Sequence, residues 1–481
     1  MPTKQLVPRL AYAPPIIKEL PLDKLTPLQV YENLRPKHAG DSFLLESVKG
    51  KHKIGRYSFV GVQPILSFKS KDRQIEILKA GELSRFTGDP MECLRQLMSS
   101  YYHLRPMGYP PFWGGAVGYF SYDLCHLFEE LPSTTADDLN LPDCYFLLVD
   151  TVVVFDHLEG KLFLVSRGLP ETDPHKAKTL AHENIERLEE ALNQKPHKGE
   201  LVRLYPGAGQ KIQSNFTQAQ FEEMVLRAKE YICAGDIFQV NLSQRLSAPA
   251  EGDHLSLYKR LRKINPSPFA CYLELDGLTV VSCSPERLVK LHQGMLETRP
   301  IAGTRPRGKT HQEDEALWAE LILNEKERAE HIMLVDLERN DLGRICEYGS
   351  VRVDELMVVE DYSHVFHIVS NIQGKAKKGC DFADVIRACF PGGTITGTPK
   401  IRSMEIIDEF EPTRRGLYTG SIGYISFAGE MDLNIVIRTF IIKDGMAYIQ
   451  VGAGIVADSV PEREYHETLH KAQALVTALQ S

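Results

Sequence analysis

The chain has 481 residues, 43% hydrophobic and 25% charged, an ordinary globular make-up with length enough to enclose a cavity. A net charge of -8 disfavours a phosphate-binding surface and hence a nucleic-acid partner. No apolar run approaches the roughly 18 residues of a membrane span, and the Pro-rich start from Met1 to Leu20 lacks a signal-peptide core. Nine cysteines stand singly, without a Cys-x-x-Cys pair, which fits reduced core thiols in a cytoplasm and speaks against zinc or redox motifs. None lies in a Gly-x-Cys-x-Gly turn, so the chain shows no glutaminase nucleophile of that kind.

Up to about Arg167 the pattern is β-rich, with strand-like runs at Tyr57 to Val62, Gln74 to Leu78 and Tyr145 to Phe155. Small residues beside aromatics from Trp113 to Phe120 predict close backbone approach within a sheet. A charged helical stretch from Asp173 to Gln194 leads into Lys195-Pro196-His197-Lys198-Gly199, a polar connection between an N-terminal region, 1–195, and a second region, 210–481. The two are expected to form one intertwined unit. Thr217 and Gln220 have capping-box spacing, Phe221, Met224, Val225, Ala228, Tyr231 and Ile232 keep the helical period, and Gly235 sits where a C-terminal cap belongs. In the strand that follows, Phe238, Val240 and Leu242 point one way and Gln239, Asn241 and Ser243 the other. Further strands near Thr279 to Cys283, Ser363 to Gly374, Tyr418 to Phe427, Asp432 to Ile442 and Ala447 to Val451 are joined mostly by hairpin-length turns. The class is α+β, large antiparallel sheets with helices outside.

Three groups of residues carry possible chemistry. Glu327 and Glu330 lie three apart on a helix from Asn324 to Leu342, and Glu464 and Glu467 three apart on a last helix from Pro461. That spacing puts each pair on one helical face. Two such pairs facing one another would suit Mg²⁺, which takes few carboxylates and keeps waters; each pair alone reads equally as solvated glutamates. On the last helix Tyr465, Leu469, Ala472, Val476 and Leu479 form the apolar stripe, with Glu464, Glu467 and Lys471 beside it. Gly392-Gly393-Thr394-Ile395-Thr396-Gly397 precedes a helix with Thr398 as N-cap and Pro399 as its first residue, either an anion-binding turn or a structural one. On strands, His367 alternates with Phe366 and Ile368, Arg438 interrupts an apolar run, Tyr424 follows Gly423, and Gly452-Ala453-Gly454 ends a strand with exposed amides. A buried Arg438 needs a carboxylate, from a ligand or from the protein itself, and His367 taken alone also reads as a core histidine.

Together these segments resemble the chorismate-utilising family: anthranilate synthase and aminodeoxychorismate synthase large subunits, with isochorismate and salicylate synthases. The resemblance covers nearly the whole chain and is strongest from Gly235-Asp236-Ile237-Phe238-Gln239 onward. Its motifs include Ser284-Pro285-Glu286-Arg287, Arg299-Pro300-Ile301-Ala302-Gly303-Thr304-Arg305, Leu337-Glu338-Arg339-Asn340-Asp341-Leu342 and Glu464-Tyr465-His466-Glu467. It implies two stacked antiparallel sheets flanked by helices, and a Mg²⁺ gripping the ring carboxylate of chorismate. By position, Glu330 and Glu467 match the metal ligands, with Glu327 and Glu464 as second carboxylates. Arg438, Tyr424, Gly452, Ala453, Gly454 and Lys471 match the residues around the substrate carboxylates. Gly303 and Thr304 match the loop over the ring, Thr394 belongs to the Gly-rich turn, and His367 matches a proton-transfer histidine.

Isochorismate and salicylate synthases carry a Lys where this chain has Gln239; a neutral amide cannot deprotonate water, which points to an aminase fed with ammonia by a separate glutaminase subunit. The Gly-rich turn and Glu411-Pro412-Thr413-Arg414-Arg415-Gly416-Leu417-Tyr418 look like aminodeoxychorismate synthases, while Ala302 departs from those that place a nucleophilic Lys there. Glu46, Ser47 and Pro268 resemble a tryptophan pocket of anthranilate synthases. The alternatives are an anthranilate synthase large subunit or a non-catalytic tryptophan-binding subunit.

Overall fold

The computed structural model describes residues 14–35, 40–48, 54–194, 212–361 and 365–480. Lys195 to Gly199, the expected connection, lies outside them. Two twelve-stranded antiparallel sheets form the body. The first runs Ile16–Pro21, Lys161–Ser166, Thr151–Asp156, Tyr57–Val62, Ser42–Glu46, Phe269–Leu275, Leu278–Ser284, Thr439–Lys443, Met446–Ile455, Gln239–Pro249 and Gln213–Ser214, with Gly397–Thr398 also paired to Gln239–Pro249. The second places Ser421–Ser426, Gly115–Phe120 and Cys144–Val149 at its middle and Val365–Lys375 near one end. Both regions of the sequence contribute strands to both sheets.

Between the sheets lies an apolar layer that includes Phe43, Phe59, Trp113, Tyr119, Phe146, Val280 and Leu433, all buried. Each such side chain contributes roughly 1.5–3 kcal/mol when fully removed from water. Helices cover the outer face of the first sheet: His254–Ile264 and Pro461–Gln480 over one stretch, Gln218–Ala234 and Lys400–Phe410 over another. The Gln218–Ala234 helix carries the expected capping box at Thr217 and a left-handed Gly235 at its end. Close approach at Gly115 and Gly118 is severe: a Cβ there would stand 2.2 Å from Ile425 O and 1.9 Å from Tyr145 O. None of the described helices is long and apolar enough to cross a membrane.

The chain crosses from sheet to sheet where the sequence reads as continuous strand. Tyr145 to Phe155 is two strands in different sheets, parted at Asp150, whose carboxylate accepts the Leu169 N–H at 2.7 Å. Asp432 to Ile442 likewise splits into Met431–Asn434 in the second sheet and Thr439–Lys443 in the first. Arg438 therefore lies in the crossing, at φ +52°, and not within a strand. Runs buried on both sides lose the alternation that marks a strand end.

Other local expectations need correction. Phe238 lies before the strand and is 69% exposed, while Val240 and Leu242 are buried. The helix after the Gly-rich turn is Lys400–Phe410; Pro399 is its N-cap and Thr398 pairs with Gln239 instead. Gly452-Ala453-Gly454, by contrast, does close a strand, paired with Asn241-Leu242-Ser243 and with the Gly452 and Gly454 backbone turned away from that partner, as the bond from Lys471 to Gly452 O shows. On the last helix the buried face is Glu464, Thr468, Ala472, Leu475, Ala478 and Leu479, about one residue round from the expected stripe, so Glu464 faces inward.

Candidate active site

Two neighbouring crossings between the sheets build one wall. The first sheet's Leu278–Ser284 passes to the second sheet's Arg287–His292 through Pro285 and Glu286, and Asn434 passes back to Thr439 through Arg438. The crossings are tied together: Ile435 N–H donates to Glu286 O at 3.0 Å, Cys283 N–H to Arg438 O at 3.2 Å, and the Ser284 hydroxyl to Ile435 O at 2.5 Å. Turning points cannot bury their side chains in either sheet's regular face, so Glu286 and Arg438 project at the junction. Arg438 donates to Asn265 Oδ1 at 3.3 Å, and its charge reaches both Glu286 and His367.

Glu286 was not singled out as a functional residue by sequence reasoning. It is 5% exposed, and burial pushes its carboxyl up to about 7 against the opposing pull of Thr394, the Ile301 N–H, Arg438 and Lys471. It is thus a carboxylic acid that keeps its proton well above the usual carboxylate range, surrounded by residues of the expected site. A Glu at the end of an apolar strand, in Ser284-Pro285-Glu286-Arg287, was the available signal.

His367 sits on Val365–Lys375 opposite Thr304, and its ring Nδ1 donates to Gly303 O at 3.2 Å. Burial first, then the Arg438 charge, hold it down to about 4, so it is a neutral imidazole whose basic nitrogen is Nε2. Gly303, at φ +66°, lies against the Glu325–Ile345 helix: a Cβ there would stand 2.9 Å from Glu327 Oε2.

The opposite wall is the Gln239–Pro249 and Met446–Ile455 pair. Gln239 is 4% exposed and its Nε2 donates to Glu330 Oε1 at 2.9 Å. Gly454 makes room for this contact, since a Cβ there would meet Gln239 Nε2 at 2.5 Å and Glu330 Oε1 at 3.7 Å. Lys471 Nζ donates to Gly452 O at 3.0 Å and pairs with Glu467 at 2.8 Å. Thr394 O accepts from Asn241 Nδ2 at 3.1 Å, which sets the Gly-rich turn beside the same strand.

The four glutamates occupy two helices, Glu325–Ile345 and Pro461–Gln480. Burial raises Glu330, and the charges of Glu327 and Glu467 raise it further; Glu464 is raised by burial and by Glu467. The two pairs therefore feel each other, and an oxygen-only set under mutual repulsion fits a hard divalent cation in kind. Meanwhile each is held by a protein donor: Glu327 by Arg305 at 3.0 Å, Glu330 by Gln239, Glu464 by Ser459 and Glu467 by Lys471. Among the described residues, no three His, Cys, Asp or Glu side chains are grouped closely enough to hold a metal.

Tyr424 is not brought to this cluster. Its ring packs tilted against Phe112 at 4.9 Å and edge-on to Phe59 at 5.3 Å, and lines a separate cavity of about 460 Å³. The period of two along Ser421–Ser426 turns Ile422 and Tyr424 to that cavity together. Tyr418 is the tyrosine of this segment beside the site: its hydroxyl would stand 2.8 Å from a Cβ on Gly452. The cavity is also lined by Glu46 and Pro268, with Arg56, Tyr57 and Lys290 among others, and not by Ser47, whose N–H donates to Ser58 Oγ at 3.0 Å.

A fold of two stacked sheets with a polar cluster at their crossings defines the class, and sequence comparison agrees: residues 40–477 match the family described as chorismate binding enzyme. The chain belongs to that family and is an enzyme acting on chorismate. It is 44% identical over 476 residues to anthranilate synthase component 1 of Aquifex aeolicus (strain VF5), covering 97% of this chain and 94% of that one. It is 45% identical over 477 residues to aminodeoxychorismate synthase component 1 of Bacillus subtilis (strain 168), covering 98% of each. The crystal structure of anthranilate synthase component I from Streptococcus pneumoniae TIGR4 superposes with a TM-score of 0.79 at 34% identity, over 95% of this chain and 98% of that one. The menaquinone-specific isochorismate synthase of Escherichia coli, 20% identical over 98% of this chain and 96% of that one, shares the fold with a TM-score of 0.72.

Proposed function

We propose that this chain aminates chorismate to 4-amino-4-deoxychorismate, using ammonia supplied by a separate glutaminase subunit. The observation that carries the aminase reading is Gln239. It occupies the wall of the site, its amide donates to Glu330, and it offers no basic atom with which to activate water. Ammonia is a nucleophile without help, and needs positioning more than deprotonation.

In this reading the C4 oxygen of chorismate leaves as water, taking its proton from Glu286, and the nitrogen ends at C4. Arg438 and Tyr418 hold the enolpyruvyl carboxylate. Lys471 and the Gly452 to Gly454 backbone close the wall behind the ring, with Gly303 and Thr304 over it. Glu330 and Glu467 would hold Mg²⁺, assisted by Glu327 and Glu464; when bound, the ion anchors the ring carboxylate and neutralises the glutamates. A second reading, anthranilate synthase, is favoured by His367, a neutral base beside the site able to take up the proton lost when pyruvate is expelled.

Gln239→Lys tests the aminase reading. Installing a base at this wall is expected to reduce amination at least tenfold and to open a route to isochorismate, followed by chromatography of chorismate incubations with ammonium and Mg²⁺. Isochorismate as the main product of the unaltered chain would defeat the reading.

A further inference from the structure

Arg415 lies outside the cluster above, yet it is the most heavily bonded side chain near it. Its guanidinium is 1% exposed and forks onto Glu411, with Nε donating to Oε2 at 2.9 Å and Nη2 to Oε1 at 2.7 Å. The remaining N–H groups leave the ion pair and go to backbone. Nη1 donates to Ile395 O at 3.0 Å, inside the Gly-rich turn, and Nη2 to Asn241 O at 2.6 Å, on the strand that carries Gln239. Nη1 also reaches the Thr419 hydroxyl at 3.3 Å, and the cation lies over the rings of Tyr418 at 5.5 Å and Tyr122 at 4.9 Å. Glu411 in turn accepts from the N–H and the hydroxyl of Ser243, at 2.9 and 2.7 Å.

One buried cation thus joins three pieces that no single secondary element connects: the turn bearing Thr394, the strand bearing Gln239, and the segment bearing Tyr418. A buried pair of this kind is weak evidence for stability, because desolvation offsets most of the attraction. Its fork geometry, in contrast, fixes relative positions in a way that neither Lys nor an apolar side chain reproduces. We propose that Arg415 is a positioning residue for the chorismate reaction, with Glu411 orienting it, and that it sets the Gly392 to Gly397 turn and Tyr418 against the Gln239 strand. This rests on the reading of Thr394, Tyr418 and Gln239 as site residues.

The test separates position from stability. Glu411→Leu combined with Arg415→Met replaces the pair by apolar groups of similar size, a change that commonly leaves folding intact. The expected result is a folded enzyme, by cooperative thermal unfolding, in which kcat for chorismate consumption falls about a hundredfold, the loss that a misplacement of about 1 Å produces. Amide hydrogen exchange in the peptide spanning Gly392 to Gly397 should accelerate at least tenfold while exchange in the distant Lys161–Ser166 strand, at the far end of the first sheet, stays unchanged. Arg415→Lys, which keeps the charge beside Glu411 and loses the fork, should show the same two effects, and it decides the matter if the double variant does not fold. Unaltered kcat and unaltered exchange at the turn in either folded variant would overturn the proposal. Chorismate consumption is read without regard to product, and the exchange readout needs no turnover, so a wrong assignment of the product leaves this test intact.

Discussion

At Glu286 burial acts on catalysis and stability in opposite senses. An acid held up to about 7 keeps a proton to donate where an ordinary Glu, near 4.5, has lost it. For stability the folded state favours the protonated form. The contribution is therefore present below about 4.5 and is lost as pH rises through about 7, a difference of roughly 3 kcal/mol by linkage. Glu286→Gln keeps the shape and cannot ionise. It should unfold at a higher temperature than the unaltered chain at pH 8, match it near pH 4.5, and lose at least a hundredfold in kcat. For the unaltered chain, kcat at constant free ammonia should fall as pH rises above about 7. A kcat of Glu286→Gln equal to that of the unaltered chain would remove it from the mechanism. Residue chemistry was unevenly legible here. His367, Gln239, Lys471 and the glutamates are visible because polar residues stand out on amphipathic elements. Glu286 and Tyr418 were passed over because their significance comes from a crossing and a turn, where no periodicity points to a face.

At the scale of elements, the helices Glu325–Ile345 and Pro461–Gln480 match the spans expected from Asn324 to Leu342 and from Pro461, and Asn324 caps the first by accepting from Glu327 N–H at 3.0 Å. Their spacing put each Glu pair on one face, and the structure brings the two pairs within electrostatic reach. The phase of the last helix was harder to read, because Thr468 and Ala478 are small and score weakly as apolar, while Leu469 and Val476 draw the stripe toward themselves. Like charges gathered without a cation resist the approach of a carboxylate substrate, so binding should depend on the ion. Glu467→Gln is expected to lower chorismate turnover by at least a hundredfold while the thermal midpoint holds or rises, since one repelling charge is removed. Excess chelator should silence the unaltered enzyme, and added Mg²⁺ should restore it. Full activity in chelator, measured as chorismate consumption, would rule out the metal site.

At the scale of the molecule, α+β class and large antiparallel sheets were legible from alternation and short connections, and the stacking of two sheets from the family resemblance, whereas the exchange of strands between sheets was not. Tyr145 to Phe155 and Asp432 to Ile442 are each mostly apolar on both sides of a short polar interruption, Asp150-Thr151 in one and Arg438-Thr439 in the other, and a polar residue within a strand-like run does not by itself announce a change of sheet. These crossings bear on the proposed function, since two of them build the wall of the candidate site and also border the 460 Å³ cavity: Arg287 and Asn434 line the cavity, while Glu286 and Arg438 belong to the candidate site. At the cavity Glu46 already accepts from Tyr258 at 2.7 Å and from Arg262 at 2.7 and 2.9 Å. An amino-acid effector would add its ammonium to that carboxylate. Millimolar tryptophan should then raise the thermal midpoint by mass action on the native state, and an unchanged midpoint would leave the cavity without that ligand.

The central claim concerns the product. Amination that stops at 4-amino-4-deoxychorismate keeps the enolpyruvyl group, whereas formation of anthranilate releases it as pyruvate. The most direct measurement incubates the purified chain with chorismate, Mg²⁺ and high ammonium salt, and follows pyruvate by a coupled dehydrogenase and anthranilate by fluorescence. Chorismate should disappear with neither signal, and pyruvate should form only when a lyase acting on the aminated product is added. Prompt, stoichiometric pyruvate and anthranilate from the chain alone would contradict the assignment and make it an anthranilate synthase.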